Sequence, residues 1–126
     1  MISITIEKDS KGDYRKLNCF GHAEYDDFGQ DTVCAAISML VINTINAVET
    51  LTGISIDVRS DEETGLIDAS FGCTDETVTD PEDEVSRIRS REDANLLIDA
   101  MILGIRSVQS DYGDGYVSLE LLEVEQ

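Results

Sequence analysis

The stretch from Asp31 to Gly53 limits the fold more than any other part of the chain. Val33, Ile37, Leu40, Val41, Thr44, Val48 and Leu51 recur at three- and four-residue steps, so a long helix carries one apolar face that needs a surface to cover it. Asp31 stands at the N-cap, where a carboxylate accepts backbone N–H groups that have no partner inside the helix. Gly53 stands where a left-handed residue ends one. Ser38, Asn43, Thr44, Asn46 and Glu49 interrupt the apolar run, so the helix reads as the core helix of a soluble protein rather than a membrane span.

The covering surface is written in alternation. Ile2, Ile4 and Ile6 face one way and Ser3, Thr5 and Glu7 the other, which predicts a half-buried strand from Met1 to Glu7. A polar turn with Gly12 leads to a return strand over Tyr14 to Phe20. After the helix, Ile54 to Ser60 alternates again, Asp61 to Gly65 is a hairpin turn, and Leu66 to Phe71 is its partner strand. Gly72 to Glu84 is acidic and poor in apolar residues and reads as a solvated loop, with room for a helical turn after Pro81. Ser90 with Asp93 resembles a capping box, and Leu97, Ile98, Met101, Ile102, Ile105 and Val108 predict a second amphipathic helix to about Ser110. Asp111 to Gly115 breaks it, and Tyr116 to Val124 is the last strand. The order is ββαββαβ, an α+β two-layer domain expected to span residues 1–126 as one unit.

Charge narrows the function. Nine Lys and Arg stand against 27 Asp and Glu, a net charge of −18. That excludes ordinary nucleic-acid binding, in which cationic side chains must displace counterions from phosphates. It favours basic partners attracted over distance, although acidity also serves solubility alone. Three cysteines without framework spacing fit a reducing cytoplasm rather than a disulfide-stapled secreted domain. Met1 leads directly into a strand pattern, so neither a signal peptide nor membrane association is expected.

One group of residues carries chemistry. Counting from Asp31, Cys34 falls at the third helical position, where the positive end of the helix dipole favours a thiolate. That effect is worth ~0.3–1 kcal/mol, too little to activate a thiol, so a nearby imidazole is required. His22 is the sole histidine of the chain and lies a short loop upstream. The backbone N–H groups of Val33 and Cys34 are candidates for an oxyanion hole. Asp31 has two available roles, orienting the imidazole or capping the helix, and capping is favoured. Gly21 and Gly29 bracket the intervening loop as hinges of a lid or as turn residues, while Tyr25 and Phe28 are placed either to contact substrate or to fold onto the core. The plain alternatives are that Cys34 is a small core residue and His22 a structural one. Zinc held by Cys19, His22, Cys34 and Cys73 is not expected: Cys19 and His22 would face opposite ways on a strand, and no Cys-x-x-Cys pair is present. No cofactor is called for.

Gly21-His22-Ala23-Glu24-Tyr25-Asp26, followed by Gly29-Gln30-Asp31-Thr32-Val33-Cys34-Ala35-Ala36-Ile37-Ser38, resembles the signature of the bacterial ribosomal-processing cysteine proteases (Prp). Thr32 departs from the isoleucine usual in that family. The resemblance implies a cysteine endopeptidase that trims the N-terminal extension of a large-subunit ribosomal protein, the one numbered twenty-seven. It implies Cys34 as nucleophile, His22 as its acid–base partner, Asp31 beside them, a substrate loop that orders on binding, and a homodimer. A basic substrate suits the acidic chain. The rival reading is a non-catalytic acidic module that binds a basic ribosomal protein, for which the Asp75-to-Glu84 stretch is the natural surface. A thiol acyltransferase or redox protein is a third, weakened by the lack of a resolving cysteine.

Overall fold

The computed structural model describes residues 1–24, 26, 31–72, 81–113 and 115–124. The elements are β1 (Ile2–Lys8), β2 (Tyr14–Phe20), α1 (Thr32–Thr52), β3 (Ile56–Asp61), β4 (Leu66–Phe71), α2 (Pro81–Tyr112) and β5 (Val117–Glu123). This is the α+β order ββαββαβ that alternation and helical spacing predict. The strands form one sheet in the order β3-β4-β2-β1-β5. All neighbours are antiparallel except β1 and β5, which run parallel because α2 carries the chain back along the sheet before β5 begins.

Register explains why one face of the sheet is apolar. Ile4 lies opposite both Cys19 and Leu119, Ile6 opposite Leu17 and Leu121, and Leu17 opposite Ala69. Period-two alternation thus lines up across neighbouring strands into one continuous surface. The helices cover it: Val33, Ile37, Val41, Ile45 and Val48 of α1 and Ala94, Ile98, Met101, Ile102 and Ile105 of α2 join the sheet residues in a single core. The opposite sheet face is polar, and there Asp68 accepts from Asn18 and pairs with Arg59.

α1 begins and ends as its sequence predicts. The Asp31 Oδ1 accepts the N–H groups of Val33 and Cys34 at 3.0 Å each, and Gly53, at φ 76°, donates to the Glu49 carbonyl. Among the described residues this helix is the one long and apolar enough to pass for a membrane span, and its apolar face is the one seated in the core. Leu51 departs from the prediction. It shares the apolar face but lies in the last turn, beyond the core, and is exposed.

α2 departs further. It starts at Pro81 rather than near Ser90: the helical turn for which the loop had room after Pro81 is there, and it runs on unbroken into the second helix, while residues 73–80 of the expected acidic loop lie outside the described residues. Proline has the right φ for a first helical turn, and acidic residues following it complement the positive end of the dipole. Periodicity misses this segment because it buries no stripe: Val85 and Ile88 are exposed. It is tied down by charge instead, with the Arg91 guanidinium donating to the carbonyls of Phe71 and Gly72 at the end of β4. The helix also runs two residues past Ser110, to Tyr112.

Candidate active site

Three segments surround a cleft of about 770 Å³: the chain leaving β2, the first turns of α1, and the β3–β4 turn. Ile2, Cys19, Ile37, Ile42, Leu66 and Ile67 form its apolar lining, and Glu24, Asp26, Asp31, Asp61 and Glu62 its acidic part. Gly21, His22 and Cys34 all line it, so the structure brings the two candidate reactive side chains into one cavity.

Cys34 is half-buried at the start of α1, where the cap places it. Its sulfur accepts the N–H of Ala23 at 3.2 Å, which joins the histidine-bearing segment to the helix. The dipole argument suggested a depressed thiol pKa; the thiol is instead held above its ordinary value. Burial is the largest cause, and the Asp31 carboxylate adds its negative charge and a hydrogen bond that keep the proton on sulfur. The amides of Ala23 and Glu24 oppose this without outweighing it. Burial and the Asp31 carboxylate thus both favour the neutral thiol at Cys34.

Asp31 is a cap and a loop anchor. It is buried, its Oδ1 accepts from Val33 and Cys34, and its Oδ2 accepts the N–H of Asp26 at 3.3 Å. The expected oxyanion donors at Val33 and Cys34 are thus already bonded to this carboxylate, and Val33 itself is wholly buried. The N–H groups beside the sulfur belong to Ala23 and Glu24. Glu24 adopts φ 59°, unusual for a residue with a side chain.

His22 is positioned from the far side of the cleft. Its Nε2 lies 2.8 Å from the backbone oxygen of Glu63 in the β3–β4 turn. Gly21 has φ 97°, and a Cβ there would run into the Met1 carbonyl oxygen, so turn geometry and close approach both demand glycine. Tyr25, Phe28 and Gly29, expected in the substrate loop, lie outside the described residues, as does Cys73. Among the described residues no three His, Cys, Asp or Glu side chains gather in a metal-binding arrangement. Sequence reasoning did not identify the contributions of Ala23, Glu24 and Glu63, because a backbone group leaves no mark in residue type. The glycine at 65 was the available signal, and it reads equally well as ordinary turn chemistry.

The sequence profile of the family described as Cysteine protease Prp matches residues 1–118. The chain belongs to that family. It is 32% identical over 114 residues to the ribosomal processing cysteine protease Prp of Bacillus subtilis, covering 90% of this chain and 92% of that one. It is 24% identical to the Staphylococcus aureus protein of the same name, over 90% of this chain and 93% of that one. The fold is similar to a crystal structure of the S. aureus Prp with a covalently linked product peptide, at a TM-score of 0.76 and 21% identity, covering 96% of this chain and 99% of that one. A Streptococcus mutans protein is similar at a TM-score of 0.72 and 27% identity, over 98% and 96% of the two chains. Prp proteins are cysteine proteases of ribosomal processing, and this chain is one of them by family.

Proposed function

We propose that this Prp-family protease removes the N-terminal extension of the large-subunit ribosomal protein numbered twenty-seven, with Cys34 as nucleophile and His22 as acid–base partner. The observation that carries the proposal is the single cleft shared by Cys34 and His22, with the Ala23 amide on the sulfur. The substrate peptide lies along the apolar lining with its scissile carbonyl over Cys34. From the neutral thiol, the proton passes to the imidazole as the sulfur attacks, giving a tetrahedral oxyanion and an imidazolium. The amides of Ala23 and Glu24 are the donors nearest that charge. The imidazolium then protonates the leaving amine as the C–N bond breaks. Water attacks the thioester, gives its proton to the same imidazole, and the thiol is restored. None of these steps calls on a cofactor.

The remaining expectations belong to the same proposal: one domain over residues 1–126, working in the cytoplasm as a homodimer, without nucleic-acid or membrane partners. Exposed Val85, Ile88, Leu96 and Leu103 along α2 support a partner surface on that helix. The deciding experiment incubates the protein with the extended ribosomal substrate, wild type beside Cys34→Ala and His22→Ala, and reads the products by mass spectrometry. One discrete N-terminal fragment with wild type alone is expected. An intact substrate that co-purifies equally with all three proteins would favour the acidic binding module instead.

A further inference from the structure

The β3–β4 turn grips the histidine segment at three points, more than a connection between an edge strand and its neighbour requires. The Gly21 N–H donates to the Thr64 carbonyl at 3.1 Å. The Glu63 carbonyl meets His22 Nε2 at 2.8 Å. Gly65, at φ 69°, approaches so closely that a Cβ there would overlap the Gly21 carbonyl oxygen and come within 3.3 Å of His22 Cε1. The turn is ordered from within, because Asp61 Oδ1 accepts the Glu63 N–H at 3.0 Å and so holds the peptide plane that precedes the Glu63 carbonyl.

A carbonyl oxygen can only accept, so the ring nitrogen facing it must carry a proton. We propose that the Glu63 backbone carbonyl is the positioning group of the catalytic pair: it fixes His22 as the Nε2–H tautomer and turns Nδ1 toward the thiol as the base. This rests on the protease reading given above. In each proton transfer the thiol proton moves from Cys34 Sγ to Nδ1, and from Nδ1 to the leaving amine. Nε2–H stays on the carbonyl throughout, and that hydrogen bond strengthens while the ring is cationic. The role usually filled by a carboxylate or amide side chain behind a catalytic histidine falls here to a main-chain oxygen. Gly65 is then a glycine because the turn must come close enough to deliver it.

With one histidine in the chain, the imidazole nitrogens can be read without assignment in a long-range ¹H–¹⁵N spectrum of ¹⁵N-labelled protein lacking a histidine tag. The spectrum is taken on the alkaline plateau, where the ring nitrogen shifts no longer change with pH. Wild type is expected to show a protonated Nε2 and an unprotonated Nδ1. Gly65→Ala is expected to mix the tautomers and to lower kcat on a peptide spanning the cleavage site by roughly 100-fold, the scale of a displaced catalytic group, with KM changed less than about threefold. Gly12→Ala is the control for strain alone: Gly12 also has positive φ, at 87°, but a Cβ there meets nothing within 4 Å. It should match wild type in both readouts. An Nδ1–H tautomer in wild type overturns the proposal even if Gly65→Ala does not fold. So does a Gly65→Ala protein with wild-type tautomer and kcat, or an equal loss in Gly12→Ala. A wild type that shows the Nε2–H tautomer but cleaves no ribosomal peptide would refute the substrate reading separately, leaving the histidine's positioning intact.

Discussion

At the scale of single residues, the local field at Cys34 is set by competition rather than by the helix dipole. Desolvation and the neighbouring Asp31 carboxylate hold the thiol protonated against two amides that favour the thiolate. Asp31→Asn removes the negative charge but keeps an oxygen for the cap. Each unit by which the thiol pKa falls raises the thiolate fraction tenfold at neutral pH. The weaker nucleophile returns roughly threefold of this, so alkylation of Cys34 by iodoacetamide should speed up by about threefold per unit. Mass spectrometry of the labelled peptide gives the rate, and an unchanged or slower rate would show that Asp31 does not hold the proton. Cys19 behaves differently because it is buried in the sheet, where desolvation first, and Cys34 second, push its thiol up to about 11. A folded pKa above the unfolded value means the folded state binds the proton more tightly. Its contribution is therefore complete below about pH 9 and lost as pH rises through 11, a loss on the order of 2 to 3 kcal/mol. Denaturant titrations across that window should show the loss in wild type and a shallower one in Cys19→Ala.

At the scale of elements, the two helices are read with unequal ease. α1 combines a carboxylate cap, a continuous apolar face and a terminal glycine, and local signals agree along its length. α2 has two parts. From Ala94 to Val108 it is a core helix, whereas its first turns are exposed and held by Arg91. Truncating Ile98, fully buried between α2 and the sheet, should cost about 2–5 kcal/mol in urea unfolding. Leu103, on the same helix but 68% exposed, should cost no more than ~0.5 kcal/mol in a monomer. A larger, concentration-dependent cost at Leu103 would mean that the outer face of α2 is covered in a dimer. The close crossing of the helices is local too. Gly104 meets Leu40 where a Cβ would come within 2.7 Å of that side chain.

At the scale of the whole molecule, a net charge of −18 surrounds an apolar cleft with acidic groups. A basic substrate should be steered toward it, and salt should weaken that steering as the screening length shrinks from ~30 Å at 0.01 M to ~3 Å at 1 M. Stopped-flow cleavage assays should therefore show kcat/KM on a basic extended substrate falling by roughly tenfold or more across that range, with kcat little changed. A short neutral peptide spanning the same bond should respond far less. Equal responses would mean that the charge serves solubility rather than encounter.

Much of this protein was legible before folding. Alternation at Ile2, Ile4 and Ile6, the three- and four-residue steps of α1, and the Asp31 and Gly53 boundaries are local patterns, because strand pleat and helical pitch impose them residue by residue. The motif around His22 and Cys34 pointed to the family for the same reason: a motif is made of specific residue types at fixed spacing. The first turns of α2 were hidden because no core lies beneath them to impose a period. What holds His22 was hidden because Glu63 is 41 residues away and acts through a carbonyl that every residue possesses. The state of the Cys34 thiol depended on how deeply the sulfur is buried and which carboxylate folds beside it. Residue identity and spacing determined the elements and the family; burial, the hydrogen-bond partner of His22 and the direction of the local field came only from distant segments packing together, because each is a property of the space between them.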